Sequence, residues 1–224
     1  LHNFINTADS WKPHVEVYAK QFRTIAVDMI GHGRSDIYKK DDINFKNGDY
    51  AKMILALLDS LKVYQVNAIG ASNGATTLLY LNTMQPDRFK SVITVGGLIY
   101  HSKQLREWIA KTGLNQLMEW AKYHGPEKQE YLARVVWESR KLYGDASFTP
   151  DILNTIKANW LVVLGDNDVA IPIQLGIEMH QNIPNSRLWI VPNGEHLPHL
   201  NPDIQPEFLR VSLEFLNGKW DKKD

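Results

Sequence analysis

A serine flanked by glycines is the first feature of this sequence that could do chemistry. Gly70, Ser72 and Gly74 form a G-x-S-x-G pattern between a β-branched run and a helical pattern. A strand-to-helix turn of this kind is too tight for side chains at the flanking positions, so it needs glycine there and presents the serine hydroxyl at its apex. The helix that follows aims its first N–H groups at developing negative charge, and we expect the N–H of Asn73 to be one donor to an oxyanion. A plain tight turn is the alternative interpretation.

A serine hydroxyl is a weak nucleophile at neutral pH and needs a neighbouring base. Of the eight histidines, His196 is the best placed, because it follows the last predicted strand on a loop that would return over the sheet. A metal pair of His196 with His199 is an alternative, although no third ligand lies at a helpful spacing and Pro198 disfavours a helix that would bring the two rings to one face. His32 lies in the turn after the first predicted strand and is interpreted as a loop-stabilising side chain.

The base in turn needs a buried carboxylate that holds its imidazole in one tautomer. Asp166 and Asp168 both follow the fourth predicted strand and compete for this role. Asp168 lies farther out on the loop, just before the apolar run at residues 169–172, which we expect to anchor it. The sequence therefore predicts a serine, a histidine and an aspartate on three separate loops.

These side chains can meet only if the strands that carry them end at one edge of a sheet. Short apolar runs alternate with longer amphipathic runs, which is typical of an α/β fold around a mostly parallel sheet flanked by helices. The predicted strands are residues 23–28, 63–70, 91–97, 160–165 and 187–192, and the predicted helices are residues 50–61, 75–84 and 206–216. The carboxyl ends of parallel strands share one edge, where ligands bind.

Residues 98–150 interrupt this alternation, since they contain several helical patterns and no convincing strand. An all-helical insertion between two parallel strands belongs above the carboxyl ends of the strands, so we predict a helical cap at 98–150 on a core formed by residues 1–97 and 151–224. The simplest interpretation of its many aromatic residues is that they fill the cap's own core, with one or two lining a pocket. They are Tyr100, Trp108, Trp120, Tyr123, Tyr131, Trp137, Tyr143 and Phe148.

The composition excludes several classes of function. The 224 residues carry 25 basic and 25 acidic side chains, and this formal net charge of +0 gives no electrostatic reason to expect nucleic acid or an anionic membrane as a partner. There is no cysteine, so disulfides, thiolate metal sites and a cysteine nucleophile are excluded. No apolar run is long enough to span a bilayer. We expect a cytoplasmic location, and because the sequence opens at Leu1 as though inside a fold, we expect its amino terminus to be incomplete.

Over nearly its whole length the chain resembles the α/β-hydrolase superfamily, in its capped esterase-like branch. Three segments are similar to that branch: residues 28–36 to its D-x-x-G-x-G-x-S loop, residues 165–172 to its G-x-x-D-x-x-x-P acid loop, and residues 194–196 to its G-x-H turn. The resemblance favours Asp168 over Asp166. The chain order of Ser72, Asp168 and His196 is also the order of this superfamily.

The first four residues resemble the H-G-x oxyanion loop of the same branch. By that resemblance the N–H of Phe4 is the second oxyanion donor, beside that of Asn73. The family has glycine where this chain has Asn3, the residue next most tolerant of a positive φ, so we expect the loop still to form. The family also has strands before this loop. Without them we expect a gap with unpaired backbone groups beside the strand at 23–28, in a truncated or processed form or in a natural variant that refills the gap.

The resemblance implies a serine hydrolase that cleaves a carboxylic ester or related acyl bond of a small molecule through an acyl-enzyme. Ser72 would be its nucleophile, His196 the base and Asp168 the carboxylate behind the base. Alternatives on the same residues are hydrolysis of a C–C bond, a thioester or a lactone, and a second class is a ligand-binding or receptor protein with little turnover. We expect no cofactor and no metal, since the glycine pattern at residues 31–36 lacks the third glycine of a dinucleotide-binding loop.

Overall fold

The computed structural model describes residues 1–37, 46–141 and 146–220. Within these residues four parallel strands form one sheet, and they lie side by side in chain order. The strands are β1 (Val66–Ala71), β2 (Phe89–Val95), β3 (Asn159–Gly165) and β4 (Ser186–Val191). Four of the five predicted strands are therefore confirmed, and the mostly parallel α/β sheet with them.

Helices connect the strands, because parallel neighbours cannot be joined by a tight turn. Helix α3 joins β1 to β2, helices α4 to α6 lie between β2 and β3, and α7 joins β3 to β4. The described helices are α1 (Lys12–Tyr18), α2 (Asn47–Ser60), α3 (Asn73–Met84), α4 (Lys103–Ala121), α5 (Pro126–Ser139), α6 (Pro150–Leu153), α7 (Ile173–Asn182) and α8 (Gln205–Leu216). The three predicted helices correspond to α2, α3 and α8.

Side-chain alternation along the central strands explains why both faces of the sheet are covered. On β3, Val162 and Leu164 face an apolar cluster that includes side chains of α2, α3 and α7. Leu161 and Val163 face the opposite cluster, to which α1 and α8 contribute. A strand that is buried on both faces must be apolar at successive positions, which is the pattern that predicts it from sequence.

The predicted strand at residues 23–28 is wrong, since these residues have no regular secondary structure. A groove of about 570 Å³ lies between this run and β1, so no neighbouring strand is there to pair with it. The side chain of Ile25 is 39% exposed, which is not the burial that a strand inside the sheet would have. Among the described residues, only Leu1 pairs with the outer edge of β1, through Ile69 and Ala71.

Helices α4 and α5 pack against each other, and side chains of α4 join the apolar cluster that covers one face of the sheet. Helix α4 is interrupted at Gly113, where φ is +76°, and a 3₁₀ turn (Lys122–His124) leads from α4 into α5. Tyr143 lies outside the described residues. The division into a cap and a core at residues 97 and 151 stays a prediction. In the part of the chain that the structure describes, no helix is long and apolar enough to cross a membrane.

Among the described residues, four buried histidines make the stability of this fold sensitive to acid, because burial lowers the pKa of each: His2, His14, His32 and His199. His2 and His32 are fully buried, with their rings in edge-on contact. Burial lowers the pKa of His2 to about 4 and the pKa of His32 to about 3. An unfolded chain takes up a proton at each histidine below about pH 6.5, whereas the folded chain keeps both rings neutral until the pH is much lower.

We therefore expect the free energy of unfolding to fall between pH 7.5 and pH 5, by about 2 kcal/mol each for His2 and His32, with His14 and His199 adding to the fall in the same direction. Urea denaturation at the two pH values measures this difference. In the variant His32→Asn this fall should be smaller than in the wild type by about 2 kcal/mol, because one of the buried groups is then absent. A free energy of unfolding that stays constant over this interval would contradict the assignment.

Candidate active site

Ser72 lies at the apex of a strained turn between β1 and α3. Its φ and ψ are 52° and −114°, in a region that non-glycine residues seldom adopt. A Cβ atom at Gly70 would lie 2.6 Å from backbone atoms of Gly74, and one at Gly74 would lie 2.6 Å from the carbonyl oxygen of His2. Glycine is needed at both positions for this reason. The N–H of Ser72 donates to the carbonyl of Val95 over 2.7 Å and ties the turn to β2.

Ser72, His196 and Asp168 lie in hydrogen-bonding series. The distance from Ser72 Oγ to His196 Nε2 is 2.9 Å, and the distance from His196 Nδ1 to Asp168 Oδ2 is 2.7 Å. Because a carboxylate only accepts hydrogen bonds, Nδ1 carries a proton and Nε2 is left to accept the proton of the hydroxyl. The side chain of Asp168 is 0% exposed and that of His196 is 27% exposed.

The carboxylate of Asp168 is held by the backbone that follows it. Its Oδ1 accepts from the N–H groups of Ala170 and Ile171, over 2.8 Å and 2.9 Å. Both oxygens are thus used, and the imidazole is oriented by a carboxylate that is itself fixed. Asp166, the competing candidate, is exposed.

The apolar run after Asp168 anchors it, as the sequence predicts. Ala170 and Ile171 are buried in the apolar cluster to which α4 contributes Leu105 and Ile109, whereas Val169 is 68% exposed. Gln104 of α4 adds a polar contact that the sequence does not predict, since its Nε2 donates to the carbonyls of Asp168 and Val169 over 3.4 Å and 3.1 Å. No local pattern in the sequence indicates this contact, since 64 residues separate Gln104 from Asp168.

The two predicted oxyanion donors line the same cavity as the serine. A pocket of about 610 Å³ is lined by Ser72, Asn73, Phe4 and His196, among others. Within the described ranges, the backbone N–H groups of Phe4 and Asn73 have no protein acceptor. Two free N–H groups beside a serine hydroxyl could bind an oxyanion.

The positive φ expected at Asn3 is at Ile5 instead, where φ is 79°. Asn3 contributes through its side chain: Nδ2 donates to the carbonyl of Phe4 over 2.8 Å, and Oδ1 accepts from Asn6 over 2.7 Å. The loop therefore forms without glycine at position 3. The amide of Asn3 closes the loop, and the backbone strain lies two residues later.

Three of the predicted cap aromatics reach the pocket. Trp108 and Trp120 stack with their ring centroids 6.0 Å apart, and Tyr123 lies at the same wall. Tyr131 and Phe148 are buried in apolar clusters instead. The wall formed by α4 and α5 is thus apolar and partly aromatic, which suits an apolar group of a ligand.

The other predicted side chains have structural surroundings. His199 is buried and its ring stacks on Trp11 with centroids 4.7 Å apart, while its carbonyl lies 3.0 Å from Nε2 of His14. His32 Nδ1 lies 3.0 Å from the carbonyl of Ile30, in keeping with a loop-stabilising side chain. Among the residues that the structure describes, no group of three or more histidine, aspartate or glutamate side chains could hold a metal ion.

Gly96 is a residue of the site that the sequence reasoning missed. Its φ is +58°, and a Cβ atom there would lie 2.7 Å from the carbonyl oxygen of His196 and 3.1 Å from its ring. Glycine at this position gives the imidazole room above the end of β2. The pair Gly96-Gly97 at the end of a predicted strand is the signal that could have indicated it.

Substitution of Gly96 by alanine should lower the free energy of unfolding more than the same substitution at Gly113. Both residues have a positive φ, so both variants lose free energy from backbone strain: about 1–2 kcal/mol at Gly96 and about 1–3 kcal/mol at Gly113, where ψ is 156°. Only at Gly96 does the added methyl group meet neighbours, since nothing lies within 4 Å of a Cβ atom at Gly113. We expect an additional loss of about 1–3 kcal/mol for Gly96→Ala, measured by urea denaturation. Equal losses in the two variants would show that His196 does not need the space.

Comparison with known proteins gives one consistent family. Residues 1–152 match the family model described as the alpha/beta hydrolase fold. The chain is 21% identical to the uncharacterized hydrolase YugF of Bacillus subtilis, over 93% of this chain and 85% of that protein. It is 24% identical to the carboxylesterase YbfK of the same organism, over 97% of this chain and 79% of that protein. A solved α/β-hydrolase enzyme from a Medee basin deep-sea metagenome library superposes with a TM-score of 0.81 at 19% identity, covering 100% of this chain and 89% of that one.

Proposed function

The chain belongs to the α/β-hydrolase fold family, and from that premise we propose that it is a serine hydrolase that cleaves a carboxylic ester or a related acyl bond. The observation that carries the proposal is the pair of hydrogen bonds linking Ser72, His196 and Asp168. A nucleophile, a base and a carboxylate that orients the base are the groups that acyl transfer requires. The likeness to a carboxylesterase over 97% of the chain favours an ester as the substrate.

The first half of the proposed reaction forms an acyl-enzyme. Ser72 Oγ bonds to the carbonyl carbon while His196 Nε2 takes the hydroxyl proton, and the electron pair of the C=O bond moves to its oxygen. Asp168 stabilises the imidazolium across the 2.7 Å contact at Nδ1. The N–H groups of Asn73 and Phe4 donate to the oxyanion, and loss of one such donor typically raises the barrier by about 3–4 kcal/mol. The oxyanion then collapses, and the leaving alcohol takes the proton from Nε2.

The second half returns the enzyme to its starting state. A water molecule gives a proton to His196 Nε2 and attacks the acyl carbon, so that a second oxyanion forms at the same two N–H groups. Its collapse breaks the bond to Ser72 Oγ, which takes the proton back from the imidazole, and a carboxylic acid leaves. Both halves use the same two hydrogen bonds, so each of the three side chains acts twice in a turnover.

The pocket suggests which part of the substrate is recognised. We assign α4 and α5 the role of a cap whose apolar wall, with Trp108 and Trp120, holds an apolar acyl or alcohol group. The lining also includes the polar residues Asn6 and Asn47, which suit a hydrogen-bonding group. The fold alone does not determine the substrate, so this assignment rests on the lining residues. The small-molecule ester and the cytoplasmic location remain predictions.

Replacing Ser72 by alanine should lower the turnover of a p-nitrophenyl ester by at least about 10³-fold while the fold is retained, because the attacking oxygen is lost. The same variant should no longer be labelled by a fluorophosphonate probe. Ser60→Ala is the matched control, since Ser60 is exposed at the end of α2 and, among the residues that the structure describes, its hydroxyl bonds only to the carbonyl of Leu57. Undiminished turnover in Ser72→Ala would refute the nucleophile. A wild-type protein that folds, turns over no ester and is not labelled would favour the ligand-binding alternative.

The variant Asp168→Asn tests the carboxylate behind the base. An amide in this position can donate to Nδ1 and so favours the wrong tautomer of His196, which leaves Nε2 unable to accept the serine proton. We expect the turnover number to fall by on the order of 10³–10⁴-fold. Asp166→Asn is the control, because Asp166 is exposed and two residues away in the same loop. A larger loss in Asp166→Asn than in Asp168→Asn would reverse the assignment.

A further inference from the structure

The 3₁₀ turn between α4 and α5 lies against the loop that contains the oxyanion donor Phe4. His124, the last residue of this turn, contacts two separate segments of the core. Its Nε2 is hydrogen-bonded to the carbonyl of Ile5, and its Nδ1 lies 3.0 Å from the N–H of Gly33. Lys128 of α5 adds a third contact, since its Nζ donates to the carbonyl of Gly33 over 2.8 Å.

These two partners fix the tautomer of His124. The N–H of Gly33 can only donate, so Nδ1 must be the acceptor. The carbonyl of Ile5 can only accept, so Nε2 must carry the proton. His124 is therefore a neutral ring that bridges a donor and an acceptor on two core loops, and a carbocyclic ring of the same shape could do neither.

The oxyanion loop is formed by residues 1–6, and the residue of this loop that His124 contacts is the strained one. Ile5 has a φ of 79°, which is unfavourable for a β-branched side chain and persists only where the surroundings compensate for it. Among the described residues, the carbonyl of Ile5 has no other hydrogen-bond partner. Two other hydrogen bonds lie within the loop itself. The side chain of Asn3 donates to the carbonyl of Phe4, and the N–H of Asn6 donates to the carbonyl of Asn3.

Apolar packing brings the same two parts of the molecule together. Phe4 and Ile5 pack against a buried cluster contributed by the end of α4 and by α5. The cluster consists of Ala121, Tyr131, Leu132 and Val135. The helices that form the apolar wall of the pocket therefore pack directly against the oxyanion loop, and His124 makes a polar contact in that interface.

We propose that His124 is a positioning residue, through which the helices above the pocket fix the conformation of the oxyanion loop. It holds Ile5 in its strained conformation and thereby fixes the direction of the N–H of Phe4, one residue earlier. This inference rests on the proposed function, because it assigns His124 an effect on the transition state rather than on substrate binding. A group that acts only through the oxyanion donor should change kcat and leave KM nearly unchanged.

The test compares three variants of His124 with one control. His124→Phe keeps the ring and removes both polar contacts, His124→Ala removes the ring without adding bulk, and His124→Gln supplies one donor and one acceptor again. The control is Gln129→Leu, which removes a hydrogen bond within the helix pair, from Gln129 Nε2 to the carbonyl of Met118 over 2.9 Å. In the part of the chain that the structure describes, the Gln129 side chain makes no hydrogen bond to either core loop. The steady-state constants for a p-nitrophenyl ester and the thermal unfolding midpoint are measured for each.

We expect kcat to fall by about 10- to 100-fold in His124→Phe and His124→Ala, less than the loss from deleting an oxyanion donor outright. KM should stay within about twofold, His124→Gln should recover most of kcat, and Gln129→Leu should behave as the wild type. If His124→Phe does not fold, His124→Ala carries the same comparison. An unchanged kcat in His124→Ala, a rise in KM alone, or an equal loss in Gln129→Leu would overturn the proposal.

Failure of the proposed function would appear differently, as a wild-type protein that neither turns over the ester nor reacts with a fluorophosphonate. The positioning effect is then read from backbone amide exchange at Asn6, whose N–H donates to the carbonyl of Asn3 within this loop over 3.3 Å. Faster exchange in His124→Ala than in Gln129→Leu supports the contact as the one that orders this loop. Equal exchange in the two variants overturns it.

Discussion

The close approach of backbone segments at the carboxyl edge of the sheet is the constraint on which the rest of the site depends. Four strands end there, and the loops that leave them come so near one another that a methyl group at Gly74, Gly96 or Gly165 would lie less than 3.0 Å from a neighbouring backbone atom. Because these positions carry no side chain, the loops can approach closely enough to bring a hydroxyl, an imidazole and a carboxylate within hydrogen-bonding distance. Without that proximity the same three residue types would be ordinary loop side chains.

The parts of this arrangement that are visible in the sequence are those with a local cause. The tight turn at Ser72 needs glycine two residues to either side, and a strand buried on both faces must be apolar at successive positions, so both leave a pattern. The run at residues 23–28 has the same apolar pattern but no neighbour to pair with, and a strand is a property of two segments rather than one. Likewise, nothing near Asn3 in the sequence indicates that Ile5 takes the strained backbone conformation.

The contacts that escape prediction join segments far apart in the chain. Gln104 reaches the acid loop from one end of the helices above the sheet, and His124 reaches the oxyanion loop from the other. Each is a single side chain with no repeating pattern around it. Together they mean that the helices which shape the pocket also fix two of the loops that surround the serine, so the binding wall and the reacting groups form one unit.

The three hydrogen-bonded side chains differ in burial, so solvent reaches the series from one end. Asp168 is sealed from solvent, whereas His196 and Ser72 face the pocket. Solvent reaches the series from the pocket, at Ser72 and His196, whereas the carboxylate of Asp168 has only protein groups as partners among the described residues. The proton therefore moves between the hydroxyl and the imidazole and not onto the carboxylate, and a reagent that modifies carboxylates in solution should not reach Asp168.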